Sequence, residues 1–175
     1  MTPMTKQWAI APLMPQEQAA HLGPLPAFIG QILYNRGITD RREAESFLSE
    51  EGEPLGDPFL LKGMGRAVER ISRAIRDQEQ IVVYGDFDAD GITSAAILVQ
   101  ALRGLGATAE PYIPHRVDEG YGLNCEALQK LVERGTRLLI TVDCGISSIE
   151  EVAYAQARGL EVIVTDHHHV PAQIP

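Results

Sequence analysis

The rhythm of apolar positions changes at residue 81. Beyond it, short unbroken apolar runs alternate with segments of helical spacing. The runs are IVVYG at 81–85, PYIP at 111–114, LLITVD at 138–143 and VIVTD at 162–166. Helices are expected between them over 93–103, 124–133 and 147–157. Alternation of this kind predicts βαβ units around a parallel sheet. The strand-like runs are apolar almost throughout, as a sheet covered on both faces requires. The predicted fold class is therefore α/β, a parallel Rossmann-like sheet with helices on both faces.

Before residue 81 the texture differs, and residues 1–80 read as a mainly helical N-terminal extension to a domain spanning 81–175. Met64, Ala67, Val68, Ile71, Ala74 and Ile75 recur at helical spacing over 63–77. Arg66, Arg70 and Arg73 fall on another face. A solvated face beside Glu69 is the plainer reading of these arginines, and a track for a polyanion is the alternative. Asp40 with Glu43 has capping-box spacing, which predicts a short helix over 41–49. The stretch EEGEPLGDP at 50–58 reads as a loop. Residues 1–30 carry Pro3, Pro12, Pro15, Gly23, Pro24, Pro26 and Gly30, so an irregular arm is expected, anchored by Trp8 and Phe28.

Composition narrows the class. With 175 residues, 45% apolar and 22% charged, the chain is an ordinary globular protein rather than a disordered or collagenous one. No apolar run approaches the roughly 18 residues of a membrane span. The start, MTPMTKQWAIAPLMP, lacks the charged-then-apolar order of a signal peptide. Two cysteines, Cys125 and Cys144, are too few for a disulfide framework, and a reducing cytoplasm fits. The net charge of −9 is not the basic footprint of a typical nucleic-acid binder. Six of the nine aspartates, however, lie beyond residue 80, with His167, His168 and His169 in one run. Bound cations would reverse the local sign.

Three of the strand-like runs end in aspartate. The first runs into Asp86-Phe87-Asp88-Ala89-Asp90-Gly91, the second into Asp143-Cys144-Gly145, the third into Asp166-His167-His168-His169. Ligands of open parallel sheets bind beyond the carboxyl ends of the strands. Carboxylates crowded there repel one another unless a cation joins them, and carboxylates with imidazoles suit Mg²⁺, Mn²⁺ or Zn²⁺. Two ions roughly 3.5–4 Å apart can clamp both oxygens of a phosphoryl transfer. In an extended D-x-D, Asp88 and Asp90 would point the same way. Gly91 would allow a sharp turn, and Thr93 or Ser94 would cap the next helix beside an anionic substrate. Each piece alone has a plainer reading. A single aspartate after a strand is commonly a turn or cap residue. The first segment resembles the start of a calcium loop, yet Ile97 stands at its twelfth position and a strand precedes it. The histidine run could be a tag remnant, though it sits in a strand-turn context. Cys144 as nucleophile lacks an evident base, Cys125 reads as packing, and no G-x-G-x-x-G follows the first strand. Three such segments together argue for a metal site.

VVYGDFDADGITSAAIL, TVDCGISS and VIVTDHHHVP resemble the successive motifs of the DHH phosphoesterase superfamily. IPHRVDEGYGLN, at 113–124, is similar to a segment of its bacterial single-stranded-DNA-specific exonuclease branch. The likeness covers about residues 60–175. It implies two Mn²⁺ or Mg²⁺ ions, with Asp88 and Asp90 as ligands, Asp143 bridging and His167 ligating. His168 would lie nearer the scissile phosphate. Asp166 would orient the turn or a histidine, and Asp86 stays open between ligand and support. Arg116 would hold a phosphate or be an ordinary surface arginine, and His169 would be structural.

The implied reaction is hydrolysis of single-stranded DNA from its 5′ end by metal-activated water, releasing mononucleotides in repair and recombination. Single-strand-binding protein and helicases are the implied partners. Members of that branch are several times longer. They carry a further metal-binding aspartate, a second domain and an oligonucleotide-binding fold. The chain therefore reads as an N-terminal fragment, expected to show little exonuclease activity alone. Small-substrate phosphodiesterases of the superfamily are the alternative, disfavoured by the long extension before the first motif. A non-catalytic nucleic-acid-binding subunit is disfavoured by the intact motifs.

Overall fold

The computed structural model describes residues 9–49 and 56–175. The chain divides into two compact units, Met1–Pro58 and Phe59–Pro175.

The first unit is helical: α1 (Gln16–His21), α2 (Ala27–Asn35) and α3 (Arg41–Leu48). Leu22, Leu33, Ile38 and Ala44 form its core, with Met14, Leu25 and Ile29 packed against them. Asp40 Oδ1 accepts from the Glu43 N–H at 2.9 Å, so α3 begins where the capping-box spacing placed it. The irregular arm expected over 1–30 is corrected. Pro15 and Pro26 are the residues that introduce α1 and α2. A proline there has no N–H to leave unpaired and a φ already near the helical value. Phe28 is 66% exposed and anchors nothing in this unit's core, whereas Trp8 lies outside the described residues. Of the loop expected over 50–58, residues 50–55 also lie outside them, and Pro58–Leu60 form a single 3₁₀ turn.

The second unit contains α4 (Met64–Arg76), β1 (Gln80–Tyr84), α5 (Ala89–Gly104), β2 (Thr108–Tyr112), α6 (Cys125–Glu133), β3 (Leu138–Val142), α7 (Ile149–Gln156) and β4 (Glu161–Thr165). All strand pairs are parallel, in the order β2-β1-β3-β4. Period-two alternation sends Val82, Tyr84 and Leu139 to one face, where Leu128, Leu131, Val152 and Ala155 of α6 and α7 cover them. Ile81, Val83, Leu138 and Ile140 face the other way, against Ala74 of α4 and Ala95, Val99 and Leu102 of α5. Burial of each such aliphatic side chain stabilises the fold by about 1.5–3 kcal/mol. The sheet is thus sealed on both faces, as the unbroken apolar runs predict. Because α4 packs on it, the sheet-bearing unit starts at Phe59, well before the expected boundary at 81.

Of the α4 arginines, Arg66 and Arg73 are exposed, as a solvated face requires, and Arg70 is not. Arg70 is largely buried, 2.6 Å from Glu79 and 2.9 Å from Glu161, and Arg73 lies 3.1 Å from Glu161. They tie α4 to the amino-terminal ends of β1 and β4.

Register decides where the polar residues emerge. Tyr84 pairs with Thr141, and Val142 with Thr165. Two residues beyond Tyr84, one beyond Val142 and one beyond Thr165, the chain reaches Asp86, Asp143 and Asp166. The three acids leave the sheet at one level. The chain turns from β1 to β2 on one side and continues through β3 to β4 on the other, so this level is the switch point of the sheet.

Candidate metal centre

The segment after β1 is a helix start rather than an extended strip. Asp88 caps α5, its Oδ1 accepting from the N–H groups of Asp90 and Gly91, each at 3.0 Å. The Gly91 bond is the leading reason that the Asp88 carboxyl is held below its usual range. Asp90 therefore sits in the first turn, and the parallel D-x-D display is corrected. The expected caps Thr93 and Ser94 lie inside the helix, where the Thr93 hydroxyl donates back to Ala89 O at 2.7 Å. Gly91 is needed for proximity instead of for a turn. A Cβ there would stand 2.4 Å from both the N and O of Asp86. One on Gly85 would stand 2.6 Å from Gly91 O. This backbone-to-backbone approach pins the end of β1 to α5 and buries Asp86, which is 3% exposed with an Oδ1 that has no hydrogen-bond partner.

Asp143 follows β3 with φ +63°, a left-handed conformation that costs a non-glycine residue about 1 kcal/mol or more. Its amide donates to Thr165 O at 3.1 Å, which continues the sheet register. The carboxylate is buried, and Oδ1 lies 2.8 Å from His167 Nε2. Burial first, then the charge of neighbouring Asp88, raises its pKa. Asp166 is shaped differently. Oδ2 accepts from Ile146 N–H at 2.9 Å, and Oδ1 from His168 N–H at 3.0 Å, with His168 Nδ1 at 2.7 Å. Burial pushes this carboxyl up, but those bonds together outweigh it and hold it below its usual range. The same pairing raises the His168 pKa.

Among the described residues, Asp143, His167 and His168 place one donor atom each within 4.8 Å of one another. Asp90, Thr93, Ser94, Asp143, Asp166 and His167 line an open cleft of about 450 Å³. Of the ligands expected, the structure thus gathers Asp143 and His167 and adds His168. Asp90 faces the same cleft, and Asp88 stands next to Asp143 with one oxygen engaged in capping. Three features fit a divalent cation. The donors are carboxylates and imidazoles, Asp143 is buried beside another acid, and its Oδ1 accepts no hydrogen bond.

Arg116 is exposed, its guanidinium 5.1 Å above the Phe87 ring, so the aromatic residue between Asp86 and Asp88 holds it by a cation–π contact. Tyr121 meets His168 edge-on, centroids 6.2 Å apart. Reading the sequence for charged groups passes over both aromatic residues, although each lies inside a quoted motif. His169 is exposed beside the cluster. Cys144 is buried with Sγ 3.8 Å from Tyr84 O, and burial pushes its thiol up to about 12, so it is no nucleophile at neutral pH. Cys125 is exposed at the start of α6, which corrects its expected packing role.

Comparison with known proteins adds to this geometry. A family model described as "DHH family, N-terminal domain" matches residues 80–175. The single-stranded-DNA-specific exonuclease RecJ of Bacillus subtilis (strain 168) is 43% identical over 155 residues, 89% of this chain and 19% of its own. The RecJ of Thermus thermophilus is 46% identical over 175 residues, 97% of this chain and 24% of its own. Among solved structures, exonuclease RecJ bound to manganese superposes with TM-score 0.64 at 45% identity, covering 70% of this chain and 31% of that one. RecJ in complex with Mn²⁺ from Thermus thermophilus gives TM-score 0.64 at 34% identity, covering 93% and 23%. The chain spans about a fifth to a quarter of the length of the curated relatives it matches.

Proposed function

The chain belongs to the DHH family, and on that premise we propose that it supplies the metal-holding domain of a single-stranded-DNA-specific exonuclease. The reaction is hydrolysis of phosphodiester bonds from the 5′ end, releasing mononucleotides. The observation that carries this reading is the convergence of Asp143, His167 and His168 at the ends of β3 and β4. The curated relatives act on single-stranded DNA by name, and solved relatives are bound to manganese.

Asp143, His167 and His168, with Asp88 and Asp90 beside them, would hold Mn²⁺ or Mg²⁺, two ions in the full site. Such ions, when bound, neutralise phosphoryl charge and lower the pKa of water. The chain's own groups prepare the rest. Asp166 fixes the His168 ring through Nδ1, leaving Nε2 as the ring's second donor atom. Asp143 Oδ1 and His167 Nε2, 2.8 Å apart, present donor atoms side by side. Arg116, braced on Phe87, takes a substrate phosphate. Because Asp88 already engages the Asp90 and Gly91 amides, the α5 terminus contributes positioning rather than an anion pocket. No helix among the described residues is long and apolar enough to cross a membrane. A cytoplasmic setting, a role in DNA repair, and single-strand-binding protein and helicases as partners extend this reading by family resemblance.

Fluorescence anisotropy with a 5′-phosphorylated oligonucleotide tests it. The reading expects Mn²⁺-dependent binding to single strands at least tenfold tighter than to a duplex or to a cyclic dinucleotide. A preference for the cyclic dinucleotide would assign the chain to the small-substrate phosphodiesterases, and binding indifferent to Mn²⁺ would contradict the metal-held site.

A further inference from the structure

The connection between β2 and α6, residues 113–124, crosses the rim of the site and carries both Arg116 and Tyr121. It has no helix or strand of its own. Two tyrosines from the sheet hold it. Tyr112, the last residue of β2, donates its hydroxyl to Glu119 Oε1 at 2.5 Å, and Glu119 Oε2 accepts from His115 N–H at 2.6 Å. Tyr84, the last residue of β1 and fully buried, donates to Gly122 O at 3.0 Å, and Asn124 Nδ2 lies 3.3 Å from its hydroxyl. The rings stack with centroids 5.0 Å apart and planes 22° apart. Gly120 (φ +77°) and Tyr121 lie between the fastened residues Glu119 and Gly122, and Gly122 has φ +79°. The left-handed glycines let the chain reverse around Tyr121. Tyr121, Gly122 and Leu123 then form one wall of a cavity of about 220 Å³, with Gly145, Ser148 and His168 on its other sides.

The fastenings lie on the 113–124 connection, whereas Asp143, His167 and His168 follow β3 and β4. A loop does not require a buried tyrosine hydroxyl to stay on a surface. Burial, then Glu119, pushes the Tyr112 hydroxyl up to about 12, so it remains a hydrogen-bond donor throughout the neutral range. Arg116 lies between His115 and Glu119, and Tyr121 lies between Glu119 and Gly122, edge-on to His168.

We propose that Tyr112 and Glu119, with Tyr84 beneath them, are positioning residues that hold the 113–124 connection as a preformed substrate wall. Loosening it weakens DNA binding without altering metal binding. The role of this wall rests on the exonuclease reading above, whereas the fastening itself does not.

The test uses the full chain and the variants Tyr112→Phe, which keeps the stack, and Glu119→Gln. Three quantities are read: backbone amide exchange, Mn²⁺ affinity and Mn²⁺-dependent affinity for the 5′-phosphorylated single strand. In each variant, exchange over residues 115–122 is expected to rise at least tenfold while residues 138–146 stay unchanged. Mn²⁺ affinity should hold within twofold, and DNA affinity should fall five- to tenfold. Unaltered exchange over 115–122 in both variants overturns the fastening, whatever DNA does. Equal losses of Mn²⁺ and DNA affinity overturn the positioning role, because they mark general loosening. Wild-type chain that takes up Mn²⁺ but ignores the oligonucleotide overturns the exonuclease reading and the wall's role with it, even if exchange responds.

Discussion

Asp143 Oδ1 lies 2.8 Å from His167 Nε2, and Asp143 reaches that position in a left-handed backbone conformation. A carboxylate is thus kept buried, strained and close to Asp88. Conformational strain of this sort persists where surrounding structure enforces it, often at functional sites. Asp143→Gly removes both the strain and the crowded charge. It is expected to raise the stability of the metal-free chain by about 1 kcal/mol while abolishing Mn²⁺ uptake. Urea unfolding with and without Mn²⁺ measures both, and a less stable metal-free variant would refute the strain argument.

The backbone contact between Gly91 and Asp86 makes a sharp contrast with another glycine of the same helix. Gly91→Ala places a methyl group 2.4 Å from Asp86 backbone atoms and should cost about 3 kcal/mol or more, at the upper end of overpacking. Gly104, the last residue of α5, has nothing within 4 Å of a built Cβ. Gly104→Ala should be neutral or stabilising by about 0.5 kcal/mol. Thermal unfolding of the two variants compares them directly, and similar melting temperatures would contradict the close-approach account.

These contrasts show which features the sequence made legible. Strands buried on both faces announce themselves as unbroken apolar runs, and β1, β3 and β4 lie within a residue or so of their expected limits. The ends of β3 and β4 were equally plain as sources of Asp143, His167 and Asp166. The start of α5 was not, because Asp88 acts as its own helix cap inside a motif that reads as extended. Gly91 gave no sign that it serves contact with Asp86, since that contact is backbone to backbone. In α1 and α2, prolines that look like breakers are helix openers. The pairing of Tyr112 with Glu119 and of Tyr84 with Gly122 depends on strand register, which no local pattern reports.

Arg70 bears on stability rather than on nucleic acid. Its side chain is 10% exposed between Glu79 and Glu161. Arg70→Ala strips Glu79 of this partner and leaves Glu161 with Arg73 alone, and should destabilise the fold by about 2 kcal/mol. Arg73→Ala, at a half-exposed position, should cost less than about 1 kcal/mol. Denaturant titration separates the two. Arg70→Ala with unchanged stability but weakened DNA binding would revive the polyanion track.

Acid should loosen the 113–124 connection through Glu119. The hydrogen bond from Tyr112 is the largest cause holding this carboxyl below its ordinary 4.5. Its contribution to the folded state is therefore complete above pH 4.5 and is lost as pH falls through the lower folded value. His115 and Asp118 are paired at 2.7 Å in the same connection. A Glu119→Gln comparison isolates the Glu119 part. Protection of the amides over 115–122, taken relative to the intrinsic exchange rate at each pH, should fall below about pH 4.5 in the wild type, with a smaller acid-dependent change in Glu119→Gln. Identical acid profiles would contradict the assignment.

The metal centre requires carboxylates and imidazoles from separate strands to share divalent cations, and a calorimetric Mn²⁺ titration reads that sharing. The wild-type chain should bind Mn²⁺ at least tenfold more tightly than the Asp143→Ala, His167→Ala double variant. Equal affinity in the two proteins, both folded, would contradict it.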